Sequence, residues 1–559
     1  MKFFGDRPVP ATLILIILLG SVSATAARKE SLALKRQTLD LPGPPSKVLS
    51  TDVNQDGLQD LVVVVAYTER HQIGIDRVEG MVQFTEVIPA IFDRREVRVF
   101  LGSAAGGYQP EGHALELPFT VLSMEPGPPG SPIVAVTDDG LSEVVLDLTG
   151  ADPTLELKEI FRDRPVLAGS GAFQPHLTVV HDLDGDGEGD ILFPSKSGPA
   201  VYRARGGVIE SEPVQRLDLY GHRRSRSRTI SQHYPFPKVR HLNGDDLPDL
   251  IYAYRTGPQN GFHVLLGTGG GRFEPLRTGD SDCWDRATDV RIAVSPRPDG
   301  APPYPWLHGI ESLRDLDGDG LAEAIVVDEQ SRDGGMRAEL KDAKRPVQNF
   351  RFHRLGRDLR IDPEPYHETE AMGHLMEGEG EDVPFSVEVF QDLDNDGRED
   401  LILVTLDFSV FQAVKIMVTK KISIGLDFHV WHQRPDGSFK EVNDLDLSEK
   451  LKLDLNDLKF GRFAQFGGDF DGDGIQDFVH LGRGKKVTIH RGRTGCVYPK
   501  NPDLVVELEE EPPHLGLVTI EDLDGDGLSD IRIARPAPAR DQETTTPVTL
   551  ELYLSGGGS

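Results

Sequence analysis

The 559-residue sequence predicts an all-β fold: a single propeller built from four-stranded blades. Three observations carry this. An acidic pattern, D-x-D-x-D-G-x-x-D, recurs along the chain. Short, branched-rich apolar runs flank each full copy. Several copies are then followed by a glycine turn and an aromatic residue. The copies lie 47 to 83 residues apart, and recurrence in this range marks a solenoid, propeller or array. A unit of strand, acidic loop, strand, strand, glycine turn and strand is a propeller blade.

The chain opens with MKFFGDRPVPATLILIILLGSVSATAARKE. Lys2 and Arg7 give a positive start, Ala11 to Gly20 an apolar core, and Ala24-Thr25-Ala26 a small-residue cleavage site. That is the pattern of a secretory signal peptide, residues 1–26, cut after Ala26. The alternative is an uncleaved anchor, but the apolar run is shorter than the roughly 20 residues a spanning helix needs. Residues 27–559 are then one exported propeller, with no second run able to span a membrane. It would be periplasmic, cell-surface or secreted.

Six acidic copies are nearly complete. They start at Asp52, Asp182, Asp315, Asp392, Asp469 and Asp522. A seventh, HLNGDDLPD from His241, has lost its first acid and its glycine; a fainter eighth starts at Ala135 and keeps Asp139, Gly140 and Glu143. HLTVVH (176–181) and SVEVFQ (386–391) precede copies as first strands, and LVVVVA (61–66), ILF (191–193), LILV (401–404) and FVHL (478–481) follow as second strands. Third strands end in FLGSAAGGYQP (100–110), LLGTGGGRFEP (265–275) and WHQRPDGSFKE (431–441). Eight motif-bearing units predict eight blades; seven is the alternative if the unit at 135 is not a full blade. The final TLELYLSGGGS stops one strand short. Thr38 to Leu41 are therefore expected to pair with Leu550 to Leu554 and close the ring, which removes an exposed sheet edge.

The acidic copies carry the expected chemistry. Positions 1, 3, 5 and 9 offer side-chain oxygens and position 7 a backbone carbonyl. The first copy gives Asp52, Asn54, Asp56, Leu58 and Asp60. The next gives Asp182, Asp184, Asp186, Glu188 and Asp190, and the third Asp315, Asp317, Asp319, Leu321 and Glu323. The fourth gives Asp392, Asp394, Asp396, Arg398 and Asp400; the fifth Asp469, Asp471, Asp473, Ile475 and Asp477; the last Asp522, Asp524, Asp526, Leu528 and Asp530. The variety at position 7 fits a role for the carbonyl alone. Five hard oxygens with water suit Ca²⁺, whereas Mg²⁺ takes fewer protein ligands in a stricter octahedron. Zinc would want His or Cys, and none recurs within the loops. An EF-hand is excluded, because position 12 is not acidic and strands follow instead of helices. Twenty-three acids at positions 1, 3, 5 and 9 are a quarter of the 91 in the chain. Grouping them so closely costs free energy unless a cation sits among them. About six structural Ca²⁺ ions are expected. The alternative, solvated Asp-Gly turns, accounts poorly for six matched copies. Asn243, Asp245 and Asp249 are left as weak ligands, because His241 and Asp246 break the pattern.

The motif, the following strand and the glycine turn resemble the FG-GAP/VCBS repeat family, the propeller repeat also found in integrin α-subunits. The resemblance covers the chain from Lys35 onward. It implies calcium loops between the first two strands of each blade, all on one face, with ligands met by other loops. It also implies adhesion or protein or carbohydrate binding outside the cytoplasm, and in some relatives polysaccharide-lyase activity.

A net charge of −31, from 60 basic and 91 acidic residues, argues against nucleic-acid binding, which needs excess Lys and Arg. Cys283 and Cys496 are too few for a disulfide framework and fall in the fourth and seventh units. Three inserts exceed a minimal blade. HRRSRSR (222–228) is either a solvated loop or an anion grip. YHETEAMGHLMEGEGED (366–382) is either an acidic loop or a metal site through His367 and His374. In the third, 282–309, Trp284, Tyr304 and Trp306 are either core or sugar-stacking residues. No nucleophile elbow, phosphate loop or zinc signature appears. The expected function is a calcium-stabilised binding or adhesion-type module for an extracellular protein or polysaccharide. The alternative is a polysaccharide lyase or other carbohydrate-active enzyme.

Overall fold

A computed structural model describes most of residues 33–556. Outside the described residues lie 1–32, 68–93, 276–309, 331–343, 375–388, 408–420, 510–517, 536–547 and 557–559, with shorter breaks of one to nine residues elsewhere. The expected signal peptide, Cys283 and the aromatic insert at 282–309 fall outside them.

Within a blade, sequence pattern sorts the strands by depth. Asp60–Tyr67 reads DLVVVVAY, and Leu61 to Val65 are fully buried on both faces of the sheet. Thr154–Arg162, TLELKEIFR, is an outer strand in which exposed and half-buried residues alternate along most of its length. Blade 1 pairs Pro45–Thr51, Asp60–Tyr67, Arg94–Phe100 and His113–Glu116 in that order, all antiparallel. The same order recurs from Val121 to Arg162, Val180 to Arg216, Lys238 to Pro275, Ile310 to Met372, Phe390 to Gly461 and Ala464 to Glu507, as blades 2 to 7. In blade 6 the long third strand Lys421–Gln433 is shared, one half pairing with Ser448–Asp454 and the other with Phe439–Glu441.

Blade 8 has three strands from the end of the chain: Val518–Glu521, Asp530–Arg535 and Val548–Leu554. Its fourth is Lys35–Leu41, with Thr38 opposite Glu551, Leu39 opposite Leu550 and Leu41 opposite Val548. The expected closure holds, and the strand starts three residues earlier than expected. Leu39 and Leu41 are buried in a cluster that joins Leu550 and Leu552 of blade 8 to Leu61 and Val63 of blade 1. Seven further apolar clusters fill the remaining blade interfaces in turn. Eight interfaces for eight blades make a complete ring. Its core is thus divided between neighbouring sheets.

Two local expectations change. The unit at 135 is a full blade, but its acidic residues are in another place. Ile133–Thr137 and Gly140–Asp147 are the second and third strands, so Asp138 and Asp139 form the tight turn between them. The connection between strands one and two, 127–132, reads GPPGSP and has no acids; 129–132 lie outside the described residues. An Asp-Gly pair suits both places, which is why the sequence misleads here. In the second insert, His367–Met372 is the fourth strand of blade 5 and not loop. Its imidazole at His367 lies against Phe352 and accepts the Phe439 N–H at 3.2 Å.

Alternation of strand direction fixes the faces. All loops between strands one and two open on one face. The connections from strand two to three, and from each blade to the next, leave and return on the other.

Candidate metal centres

Each acidic loop is wound by its own first carboxylate. Position 1 accepts the N–H of position 6 at 2.7–3.0 Å in all six full copies. Position 5 accepts the N–H of position 7 at 2.8–3.0 Å in all six. The bond is made by the backbone of Leu58, Glu188, Leu321, Arg398, Ile475 and Leu528 alike, so it tolerates their variety of side chains. The tight curl needs left-handed backbone at positions 4 and 6. Gly525 and Gly527 have φ of 76° and 86°, and Asn395 and Gln55 adopt 56° and 59° at position 4.

Position 9 has a different task. Asp530 Oδ2 accepts the Leu523 N–H at 2.9 Å, and its Oδ1 accepts the Ser555 N–H at 2.7 Å from the end of the third strand. Asp60, Asp190, Asp400 and Asp477 make the same two-sided clasp. Glu323, longer by one carbon, keeps the bond to the Leu316 N–H. These acids are almost wholly buried. Position 2 anchors the loop beneath: Leu183, Leu242, Leu316, Leu393, Phe470 and Leu523 are buried between blades.

The structure brings the expected ligands together. Oxygens of Asp182, Asp184 and Asp190 lie within 4.8 Å of one another, as do those of Asp315, Asp317 and Glu323. Asp392, Asp394 and Asp396 converge in the same way, and so do Asp469, Asp471 and Asp473. Asp52, Asp56, Asp522 and Asp526 sit in loops with the same hydrogen bonds. At position 3, Oδ1 of Asp184, Asp394 and Asp524 is buried with no hydrogen-bond partner. A buried oxygen left bare is costly, and a cation among these carboxylates would offset that cost. Burial pushes Asp190 up to about 6, Asp477 and Asp530 up to about 7, and Glu323 up to about 8, with neighbouring carboxylates adding to the effect. An all-oxygen, highly anionic donor set fits a hard divalent cation such as Ca²⁺.

The loops also touch in sequence around the ring. The position-8 N–H of Ala322, Glu399 and Gln476 donates to the position-2 carbonyl of the preceding loop, Leu242, Leu316 and Leu393 in turn, and Ser529 donates to Asp469. Pro248 has no N–H to give at that position.

Sequence reasoning missed the cations beside these loops. Arg203 and Arg354 lie 3.8 and 4.0 Å from the position-3 acids Asp184 and Asp317, and Arg491 lies 2.8 Å from Asp471. All three come from the end of a third strand, far from the motif in sequence; a basic residue recurring there was the available signal. It also missed His432 and Cys496, which converge on Asp400. Cys496 is a buried free thiol. The arginine run at 222–228 begins in a hairpin strand, Gly221–Arg224, paired with Ile230–His233 between blades 3 and 4; 225–228 lie outside the described residues.

No family model matches the chain, and no curated protein matches it. Among solved structures it is similar to an Agrocybe aegerita lectin that recognises non-reducing terminal N-acetylglucosamine, at 13% identity and a TM-score of 0.34 over 85% of this chain and 94% of that one. It is also similar to the Photorhabdus luminescens Tc holotoxin pore, at 13% identity and a TM-score of 0.29, covering 88% of this chain but 18% of that one. A third is the exotype rhamnogalacturonan lyase YesX, at 10% identity and a TM-score of 0.26 over 93% of this chain and 72% of that one. At these values the likenesses bear on neither activity nor ligand.

Proposed function

We propose that this protein is an exported propeller of the FG-GAP/VCBS type, stabilised by calcium, that serves as a binding or adhesion-type module for an extracellular protein or polysaccharide. The observation that carries this is the repeated acidic shell with bare, buried oxygens at Asp184 and Asp524. In blade 8, Asp522, Asp524, Asp526 and Asp530 would hold the ion, with the Leu528 carbonyl. Calcium would neutralise the crowded carboxylates and fix the loops, coupling metal binding to folding.

The division of faces supports a binding role. One face is occupied by acidic loops tied to each other, where the calcium would sit. Tyr67, Arg94, Pro275 and Ile310, which flank the longer connections, end on the opposite face, as does the hairpin Gly221–Arg224 with Ile230–His233. Such connections vary without disturbing the ring, so a ligand would be met there.

Two measurements test the proposal. Calcium titration of the purified chain should give about five or six sites that Mg²⁺ does not fill. A glycan and protein-ligand array, run with calcium and with chelator, should show binding that needs folded protein. No calcium uptake would end the metal reading; calcium uptake with no ligand on either array would end the binding reading.

A further inference from the structure

The loop of blade 6 differs in chemistry from the other five. Its position-9 acid, Asp400, is 1% exposed and makes the usual clasp with the Leu393 and Gln433 N–H groups. Two further groups reach the same carboxylate. His432 Nδ1 lies 3.0 Å from Oδ1, and Cys496 Sγ lies 2.9 Å from Oδ2. His432 comes from the third strand of blade 6, whereas Cys496 reaches across from blade 7. Asp394, at position 3, completes the group: one ligand atom from each of the four residues lies within 4.8 Å of the others.

Asp394 supplies a second and independent observation. It is 6% exposed, and its Oδ1 has no hydrogen-bond partner. Its Oδ2 accepts the Gly495 N–H at 2.5 Å, which ties it to the turn that presents Cys496. Meanwhile the Arg398 guanidinium sits on Asp396, so a hard oxygen ligand at position 5 is already engaged.

We propose that Asp394, Asp400, His432 and Cys496 form a site for one Zn²⁺ ion in place of the calcium expected in the other loops. Thiolate and imidazole are ligands that zinc takes and calcium does not. Tetrahedral zinc, with bonds of about 2.3 Å to sulfur and about 2.1 Å to nitrogen, sets those atoms about 3.6 Å apart. Sγ and Nδ1 here are 3.6 Å apart. Binding releases the Cys496 thiol proton to solvent and uses the Nδ1 lone pair of neutral His432. The ion would bridge two blades, which no residue set confined to one loop can do. The site shares two acids with the calcium reading but stands apart from it, because its soft donors lie outside the acidic motif.

Cobalt substitution of the full chain tests this, since Co²⁺ bound by a thiolate gains a charge-transfer absorption that oxygen ligands do not give. We expect one equivalent of that absorption in the unaltered protein, in Cys283→Ser and in Asp524→Asn, and none in Cys496→Ser. His432→Gln should weaken zinc affinity by more than the ~10–100-fold that loss of an outer-shell partner costs. Because Cys496→Ser could disturb the core it sits in, X-ray absorption of the zinc-loaded unaltered protein is the second measurement. One sulfur and one nitrogen neighbour are expected. An oxygen-only shell, or a cobalt band that survives Cys496→Ser, overturns the proposal. Loss of calcium sites in Asp524→Asn with the cobalt band intact bears on the calcium reading alone.

Discussion

The loops of blades 4 and 8 share a fold but not a composition. In blade 8 every side-chain ligand position, 1, 3, 5 and 9, is acidic. In blade 4, His241 replaces the first acid, Asn243 the second, and Asp246 stands where the others have glycine. Yet Asp249 still clasps the Leu242 N–H at 3.1 Å and the Gly267 N–H at 2.9 Å, as Asp530 does in blade 8. Asp245 still accepts the Leu247 N–H. Asp246 takes the left-handed backbone, with φ of 63°, despite its side chain. The comparison separates two tasks that one motif combines. Position 9 ties the loop to the blade and also faces the cluster; positions 1, 3 and 5 supply the remaining oxygens of the site proposed for an ion. Blade 4 kept the first and lost much of the second.

Chelation should break the comparison most widely. With EGTA the melting temperature should fall by roughly 10 °C or more, because each ion held at ~100-fold above its Kd contributes about 2.7 kcal/mol. Ca²⁺ should restore it and Mg²⁺ should not; calorimetry that finds no shift removes the metal from the account. Next in size is the clasp. Asp249→Asn puts an NH₂ group against backbone donors in a buried site and should cost about 2–3 kcal/mol, read by denaturant unfolding, equally with and without calcium. Asp524→Asn should cost stability only with calcium present and should remove one ion from the titration. If both variants respond alike to calcium, the separation of tasks fails.

The pH response sharpens the same point. A carboxylic acid whose pKa is higher in the folded chain than in the unfolded one binds more protons when folded. Its contribution to stability therefore falls as pH rises through that window. Asp477 and Asp530, raised to about 7 by burial, set a window from roughly pH 4 to 7 for the metal-free chain. In EGTA, stability should fall by up to about 1.4 kcal/mol per pH unit for each such group. Calcium should abolish that slope for these two. It should leave the contribution of Asp249, raised to about 6, in place. Unfolding midpoints at pH 5, 6 and 7 measure it. Smallest is Asp246→Gly, which relieves a left-handed aspartate and should stabilise by about 0.5–1 kcal/mol in chelator. Combined with His241→Asp, it should add one ion to the calcium count.

Much of the ring was legible because its periodicity is written in residue type. Acid, glycine and branched-apolar runs recur in a fixed order, and Lys35 to Leu41 supply the strand that the last blade lacks. The unit at 135 shows the limit. Asp139 and Gly140 suit any tight turn, and only pairing partners decide which turn it is. Position 9 shows another. Asp530 looks like one more ligand in the sequence, but its burial and its two backbone N–H partners appear only when the third strand returns to Ser555.

The sequence by itself determined the strand order, the six full acidic loops and the closure of the ring, because these depend on local pattern and chain direction. Tertiary structure alone decided which atoms meet. Arg491 approaches Asp471 from twenty residues away, and Cys496 approaches Asp400 from the next blade. Such contacts are set by how strands return and blades pack, and no spacing along the chain encodes them.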